Sequence, residues 1–240
     1  FHLGMGKPEF GKVREHARRR GLEIVTLTPY VWDINVPDQG AVRSNVKEFE
    51  QCVEVAEQLG AKYVRVFAGR EFKGDGASKA WSDTVGSLRM MADYAAGHGI
   101  TVLLENHSGT MTPTGHETAR MIHDIDRNNV RVLLDIANVL IDGNETWEQA
   151  LESQRGLIEY LHVKDFVLLG GAQHPRVMGH GQVPWNAILR RLLDEGFDGP
   201  LSFEYERRWH PEELPPAEEG MRESRTYLVE MLTALKGLGT

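Results

Sequence analysis

A single cysteine, Cys52, stands in 240 residues. That excludes a disulfide framework and a thiolate metal site, and a reducing compartment fits. Long apolar runs are also missing: none approaches the roughly 18 residues of a membrane span, and the N-terminus lacks the charged-then-apolar pattern of a signal peptide. The chain is therefore expected to be soluble and cytoplasmic, with no membrane partner. Positive charge is scarce, 27 Lys and Arg against 35 Asp and Glu, for a formal net charge of −8. Nucleic acid is disfavoured as a partner, because phosphate binding needs clustered cations on one face. The one basic run, Arg18, Arg19 and Arg20, suits the solvated end of a helix, where the dipole welcomes cations.

With 41% hydrophobic residues the chain can bury a sizeable core, and residues 1–240 are read as a single α/β barrel domain. Helix-period segments alternate with short apolar runs, often with Gly between them, which is the pattern of a parallel sheet. Helices are predicted over 8–20, 41–59, 82–97, 114–127, 145–155, 184–195 and 220–236. Strands are predicted over 22–30, 62–69, 100–106, 130–136, 158–164 and 200–205. Six strands are too few to close an eight-stranded barrel. The chain opens on Phe1, and one or two leading βα units, or a partner chain, are expected to fill the gap. An open sheet exposes two edges and an apolar flank, so a homo-oligomer is expected over a monomer.

Four strands end on a metal-binding side chain: Glu105 in VLLENH, Asp135 in VLLDIAN, His162 in YLHVKD and Glu204 in LSFEYE. Three carboxylates and an imidazole emerging from apolar strands would repel one another or stay badly desolvated without a cation. In a parallel barrel the C-terminal strand ends carry the active site, so all four are expected at one mouth. Oxygen-rich ligation with one imidazole suits a single divalent ion, Mn²⁺ first, with Mg²⁺, Co²⁺ or Zn²⁺ as alternatives. Such an ion could stabilise the oxyanion that develops when a proton leaves the carbon beside a carbonyl.

Alternation along a strand turns residues i and i+2 the same way, which pairs Glu105 with His107, His162 with Lys164 and Glu204 with Glu206. Glu105 and Glu204 are the expected proton-transfer carboxylates; His107, Lys164 and Glu206 are their neighbours and candidate substrate contacts. Lys164 could instead be the ion-pair partner of Asp165. Asn138 could bind substrate or cap the turn leaving its strand. Arg65, with Arg70, Arg207 and Arg208, could grip a phosphate or carboxylate or pair with nearby acids. The two glycines of MGHGQVPW, residues 178–185, could let backbone approach a ligand.

The ordered set LLENH, LLDIAN, LHVKDF, GHGQVPW and SFEYE resembles the sugar phosphate isomerase/epimerase family of xylose isomerase-like TIM barrels, over roughly residues 20–210. The resemblance implies an eight-stranded (β/α)8 barrel whose metal ligands fall on Glu105, Asp135, His162 and Glu204, the first and last also being catalytic. The family often has His where this chain has Asn138, and Glu where it has His180; both departures bear on substrate rather than metal. The family's isomerases, epimerases and dehydratases act on keto-sugars and inositol derivatives. The expected activity is metal-dependent isomerisation or epimerisation of a keto-sugar. The alternatives are a dehydratase acting on an inosose or similar keto-polyol, and a non-catalytic sugar-binding barrel or subunit of a larger enzyme.

Overall fold

The protein is described from a computed structural model over residues 7–237; Phe1 lies outside the described residues. The chain falls into two compact units, Phe1–Leu133 and Leu134–Thr240. In chain order the first unit contains α1 (Lys7–Arg19), β1 (Thr26–Leu27), α2 (Gln39–Leu59), β2 (Tyr63–Phe67), α3 (Ala77–Gly97), β3 (Thr101–Glu105) and α4 (Gly115–Ile125). It ends within β4 (Val130–Asp135), the strand that carries the chain into the second unit. Then follow α5 (Ile136–Asp142), α6 (Trp147–Ser153), β5 (Ile158–Val163), β6 (Asp165–Leu169), β7 (Ala172–Arg176), α7 (Trp185–Asp194), β8 (Leu201–Phe203) and α8 (Ala217–Gly237).

In the first unit β1, β2, β3 and β4 pair side by side and in parallel. Every residue of β2 is buried, as near-continuous apolar strands covered on both faces require. The register runs Tyr63 with Thr101 through Phe67 with Glu105, and Glu105 in turn lies opposite Leu133. Phe49, Val53 and Ala56 of α2 and Met91, Ala92 and Ala95 of α3 are fully buried. At about 25 cal/mol per Å² of apolar surface, faces of this kind dominate the stabilisation of a domain. Asp38 caps α2 by accepting from the N–H groups of Gly40 and Ala41, and Gly60 ends it in the left-handed region at φ 77°, a conformation that costs glycine little. Cys52 is buried in α2, and burial pushes its thiol up to about 12, so it is no nucleophile at neutral pH.

In the second unit β5 and β8 pair in parallel, with His162 opposite Ser202. All six expected strands are present, although β1 is two residues long and β8 stops at Phe203. Two features depart from the expected pattern. Residues 136–142 form a helix, because Asp135 accepts from the Asn138 N–H and caps it as soon as the strand ends. Residues 165–176, outside the predicted elements, form the antiparallel β6–β7 hairpin, with Leu169 opposite Ala172. Its two-residue turn, Gly170 and Gly171, has φ of 61° and 83°, the doubly left-handed geometry that hairpins prefer and glycine supplies. Among the described residues no helix is long and apolar enough to cross a membrane.

The glycine-rich loop at 178–183 does wrap an anion, but one supplied by the chain itself. Asp165, 3% exposed, accepts from the N–H groups of Phe166 and Val183 through Oδ1 and of Gly179 and Gly181 through Oδ2, at 2.9–3.1 Å. A Cβ at Gly181 would lie 2.0 Å from Asp165 Oδ1 and 2.6 Å from the Phe166 carbonyl. Gly181→Ala should therefore lower stability by roughly 1–3 kcal/mol as the loop is pushed off the carboxylate. Thermal denaturation tests this; an unchanged midpoint would show that the loop can yield freely.

Candidate metal centre

Of the four residues expected to ligate a metal, Glu105 belongs to the first unit and Asp135, His162 and Glu204 to the second. The ligand atoms of the latter three all lie within 4.8 Å of one another. Asp135 is the last residue of β4 and fully buried. Capping α5 occupies its Oδ1, which accepts from the Asn138 N–H at 3.0 Å, and leaves Oδ2 facing His162 Nδ1 at 3.7 Å. His162 lies near the end of β5 and is 7% exposed. Glu204 follows β8 directly; its Oε2 is 3.8 Å from His162 Nδ1, and its side chain is 35% exposed. Two ligands each about 2.1 Å from one ion stand roughly 3–4 Å apart, so the two carboxylate oxygens and the imidazole nitrogen suit a shared cation.

Lys164 balances these carboxylates. Its Nζ lies 2.7 Å from Glu204 Oε2, 2.9 Å from Asp135 Oδ2 and 3.4 Å from Glu206 Oε1. Burial alone would lower the Lys164 pKa, but Asp135, Glu204 and Glu206 outweigh it and hold the ammonium well above its usual range. Burial would likewise raise Asp135, yet Lys164, His162 and the Asn138 N–H hold it well below the usual carboxylate range. Three carboxylates against one ammonium leave a net excess of about two negative charges, the complement of a divalent cation.

His162 and Lys164 face the same carboxylates, as alternation along β5 requires, and Glu204 and Glu206 face the same ammonium although Glu206 opens a 3-10 turn beyond β8. Lys164 does not pair with Asp165, whose oxygens are taken by the 178–183 loop. Asn138 lies in α5, and the cap uses its backbone N–H. His180 Nε2 lies 2.7 Å from Glu223 Oε1, and the His180 side chain is 62% exposed. Arg208 lies over the Trp209 ring.

In the first unit Glu105 ends β3 at 1% exposure, with Arg65 NH1 3.3 Å from its Oε2. Arg65 is itself buried; it donates to the Thr28 carbonyl at 3.1 Å and lies 3.9 Å from the Phe67 ring centre and 4.9 Å from that of Tyr30. Its guanidinium is thus committed to Glu105 and two rings, the pairing alternative to the anion grip. Arg70 pairs with Asp33 at 2.7 Å. His107 Nδ1 lies 2.7 Å from the Ser108 carbonyl, and its ring stands edge-on to Phe67 at 5.0 Å and to Trp32 at 5.3 Å. Trp32 and Phe67 stack at 4.1 Å. This aromatic wall was missed in the sequence; an aromatic at the last position of a strand, Phe67, was the available signal.

A family model described as a xylose isomerase-like TIM barrel matches residues 1–231. The chain is similar to 3-dehydroshikimate dehydratase of Bacillus anthracis, 26% identical over 60% of this chain and 50% of that protein. It is also similar to ketose 3-epimerase of Arthrobacter globiformis, 23% identical over 72% of this chain and 59% of that protein. The chain thus spans between half and three fifths of the length of these curated relatives. Among solved structures it shares the fold of the IOLI protein with a bound zinc atom, at a TM-score of 0.81 and 20% identity, covering 94% of this chain and 82% of that one.

Metal analysis after mild purification should give about one equivalent of a divalent ion, and Asp135→Ala should abolish it; stoichiometric metal in that variant would sink the assignment. Asp135 also predicts a pH dependence. Its folded pKa lies below the unfolded value, so its contribution to stability is present above about pH 3.9 and is lost as the pH falls toward the folded value. For the metal-stripped protein, the slope of unfolding free energy against pH below about 3.9 should be shallower in Asp135→Asn than in the parent, by up to about one proton. Equal slopes would show that Asp135 is not held ionised by its neighbours.

Proposed function

Because the chain belongs to the family of xylose isomerase-like TIM barrels, we propose that it is a divalent-metal-dependent enzyme that isomerises or epimerises a keto-sugar or related polyol by proton transfer next to a carbonyl. The observation that carries this reading is the donor triad of Asp135, His162 and Glu204 at strand ends, with ligand atoms within 4.8 Å. Glu105 is assigned as the fourth ligand because, like the other three, it stands at the C-terminal end of a strand of the parallel sheet. Bound there, the ion would act as a Lewis acid toward the substrate carbonyl and a neighbouring hydroxyl.

The chain's own groups divide the remaining work. Glu204, with about a third of its side chain exposed, can reach a bound carbon and is the first choice for taking and returning a proton. Glu105, buried against Arg65, is the second carboxylate of the pair. Lys164 keeps its proton at neutral pH, because its pKa is raised. It is therefore suited to donate a hydrogen bond to a developing oxyanion and poorly suited to act as a base. Trp32 and Phe67 offer a flat apolar face of the kind that packs on the C–H side of a sugar ring. His107, fixed edge-on to both rings, and Glu206 are assigned as substrate contacts, as is Asn138.

The second reading is a lyase, in which the same deprotonation is followed by loss of a β-hydroxyl. It is supported by the similarity to 3-dehydroshikimate dehydratase and by a cation, Lys164, able to stabilise negative charge beside the reacting carbons. Incubation with a panel of keto-sugars in deuterated water with Mn²⁺ separates the readings. An epimer incorporates deuterium and keeps its carbon skeleton and oxygen count, whereas a dehydrated product loses the mass of one water and absorbs as an enone or enol. Glu204→Gln should cost on the order of a hundredfold in rate, with metal content measured alongside. No exchange into any member of the panel would argue for a non-catalytic barrel, and normal turnover with normal metal in Glu204→Gln would remove that residue from the mechanism.

A further inference from the structure

We propose that Lys164 is a built-in occupant of the cation position, one that a metal displaces onto Glu206, and that Gln173 holds Glu206 ready to receive it. The proposal rests on the reading of Asp135, His162 and Glu204 as metal ligands. The two oxygens nearest His162 Nδ1, Asp135 Oδ2 and Glu204 Oε2, are the same two that Lys164 Nζ contacts at 2.9 and 2.7 Å. An ammonium and a dication cannot both claim them, because like charges repel and each oxygen has few lone pairs in the required direction.

The displaced ammonium has a destination. Glu206 Oε1 lies 3.4 Å from Nζ, longer than a good charge-assisted hydrogen bond, so this contact has room to shorten. The other oxygen of Glu206 accepts from Gln173 Nε2 at 3.0 Å. Gln173 belongs to β7 of the hairpin, and its bond fixes the carboxylate with Oε1 toward the lysine. The lysine stem can make the move while its backbone stays put: the Lys164 carbonyl accepts from Trp185 Nε1 at 3.1 Å, and Trp185 is 2% exposed. A four-carbon stem with a rotatable ammonium suits such a transfer, whereas a planar guanidinium would not.

Metal affinity is then set partly by how easily the lysine leaves. That is measurable without any turnover, by calorimetric titration of Mn²⁺ and of Zn²⁺ into the stripped protein at fixed pH. Lys164→Met, which removes the competitor, should bind either ion about tenfold more tightly, a coupling of the size neighbouring charges show. Glu206→Gln should weaken binding about tenfold in the parent and leave it unchanged in the Lys164→Met background. Gln173→Leu should weaken it in the same direction by less. Equal weakening by Glu206→Gln in both backgrounds would show that Glu206 acts on the ion directly and overturn the proposal, as would unchanged affinity in all variants. If Lys164→Met does not fold, unchanged affinity in both Glu206→Gln and Gln173→Leu overturns it, and weakening in both supports it. A parent that binds neither ion would bring down the metal reading itself; a parent that binds with no coupling between positions 164 and 206 brings down only this inference.

Discussion

A fully buried carboxylate at the end of a strand is the constraint around which the second unit is organised. Asp135 has no exposed surface, and an uncompensated charge there would cost several kcal/mol. The sequence answers it from three directions at once. The first turn of α5 supplies an N–H to one oxygen; the other oxygen faces His162 and Lys164. The early start of α5 is part of this electrostatic solution, because the helix N-terminus brings its partial positive charge to the carboxylate. The unit's polar interior therefore follows from the need to keep one negative charge at a position where only a positive one can satisfy it.

That balance also narrows the chemistry. A lysine held among three carboxylates keeps its proton, so it contributes charge and not basicity; in the proposed reaction the carboxylates would move the protons. Glu204 is the more accessible of the two candidates and Glu105 the more enclosed. Epimerisation and dehydration share their first step, loss of a proton beside a carbonyl, and diverge only in what happens to the resulting negative charge. Returning the proton needs a carboxylate on the opposite side of the carbon, whereas expelling a hydroxyl needs a stabilised leaving group. Under the proposed reading the choice between them would fall to residues around the triad, and the chain is similar to both a ketose 3-epimerase and a dehydratase.

Much of this was legible in the sequence, for reasons that can be stated residue by residue. Strands covered on both faces write themselves as apolar runs, so the polar residue ending each run stood out: Glu105, Asp135, His162 and Glu204. The period-two rule then carried His162 to Lys164 and Glu204 to Glu206. Less legible were contacts between segments distant in sequence. That Asp165 would fill the 178–183 loop, in place of a ligand, depends on a loop more than ten residues away. Gln173 was invisible because its hairpin was missed, although the paired glycines at 170 and 171 marked the turn. Phe67 and Trp32 carry no polar group that points to a site, and only their stacking against one another and against His107 gives them a face to offer.

The two proposed carboxylate ligands that lie deepest are neutralised in opposite ways, and the choice of cation is informative in each case. Glu105 is paired with an arginine wedged against two aromatic rings and tied to a backbone carbonyl. Guanidinium is planar, weakly hydrated and permanently charged, so this pairing is fixed; it orients the carboxylate without contesting every lone pair, since a carboxylate offers about four acceptor sites. Asp135 is paired with a lysine that has two further acceptors within 3.4 Å and rotatable bonds with which to choose among them. One carboxylate is thereby held for good and the other only until something with a stronger claim arrives. A site made wholly of the first kind would bind a cation at little gain over its own arginines, and one made wholly of the second would have no rigid edge against which to place an ion. Under the proposed reading, a rigidly held ligand and an exchangeable one together would suit a reversible metal site.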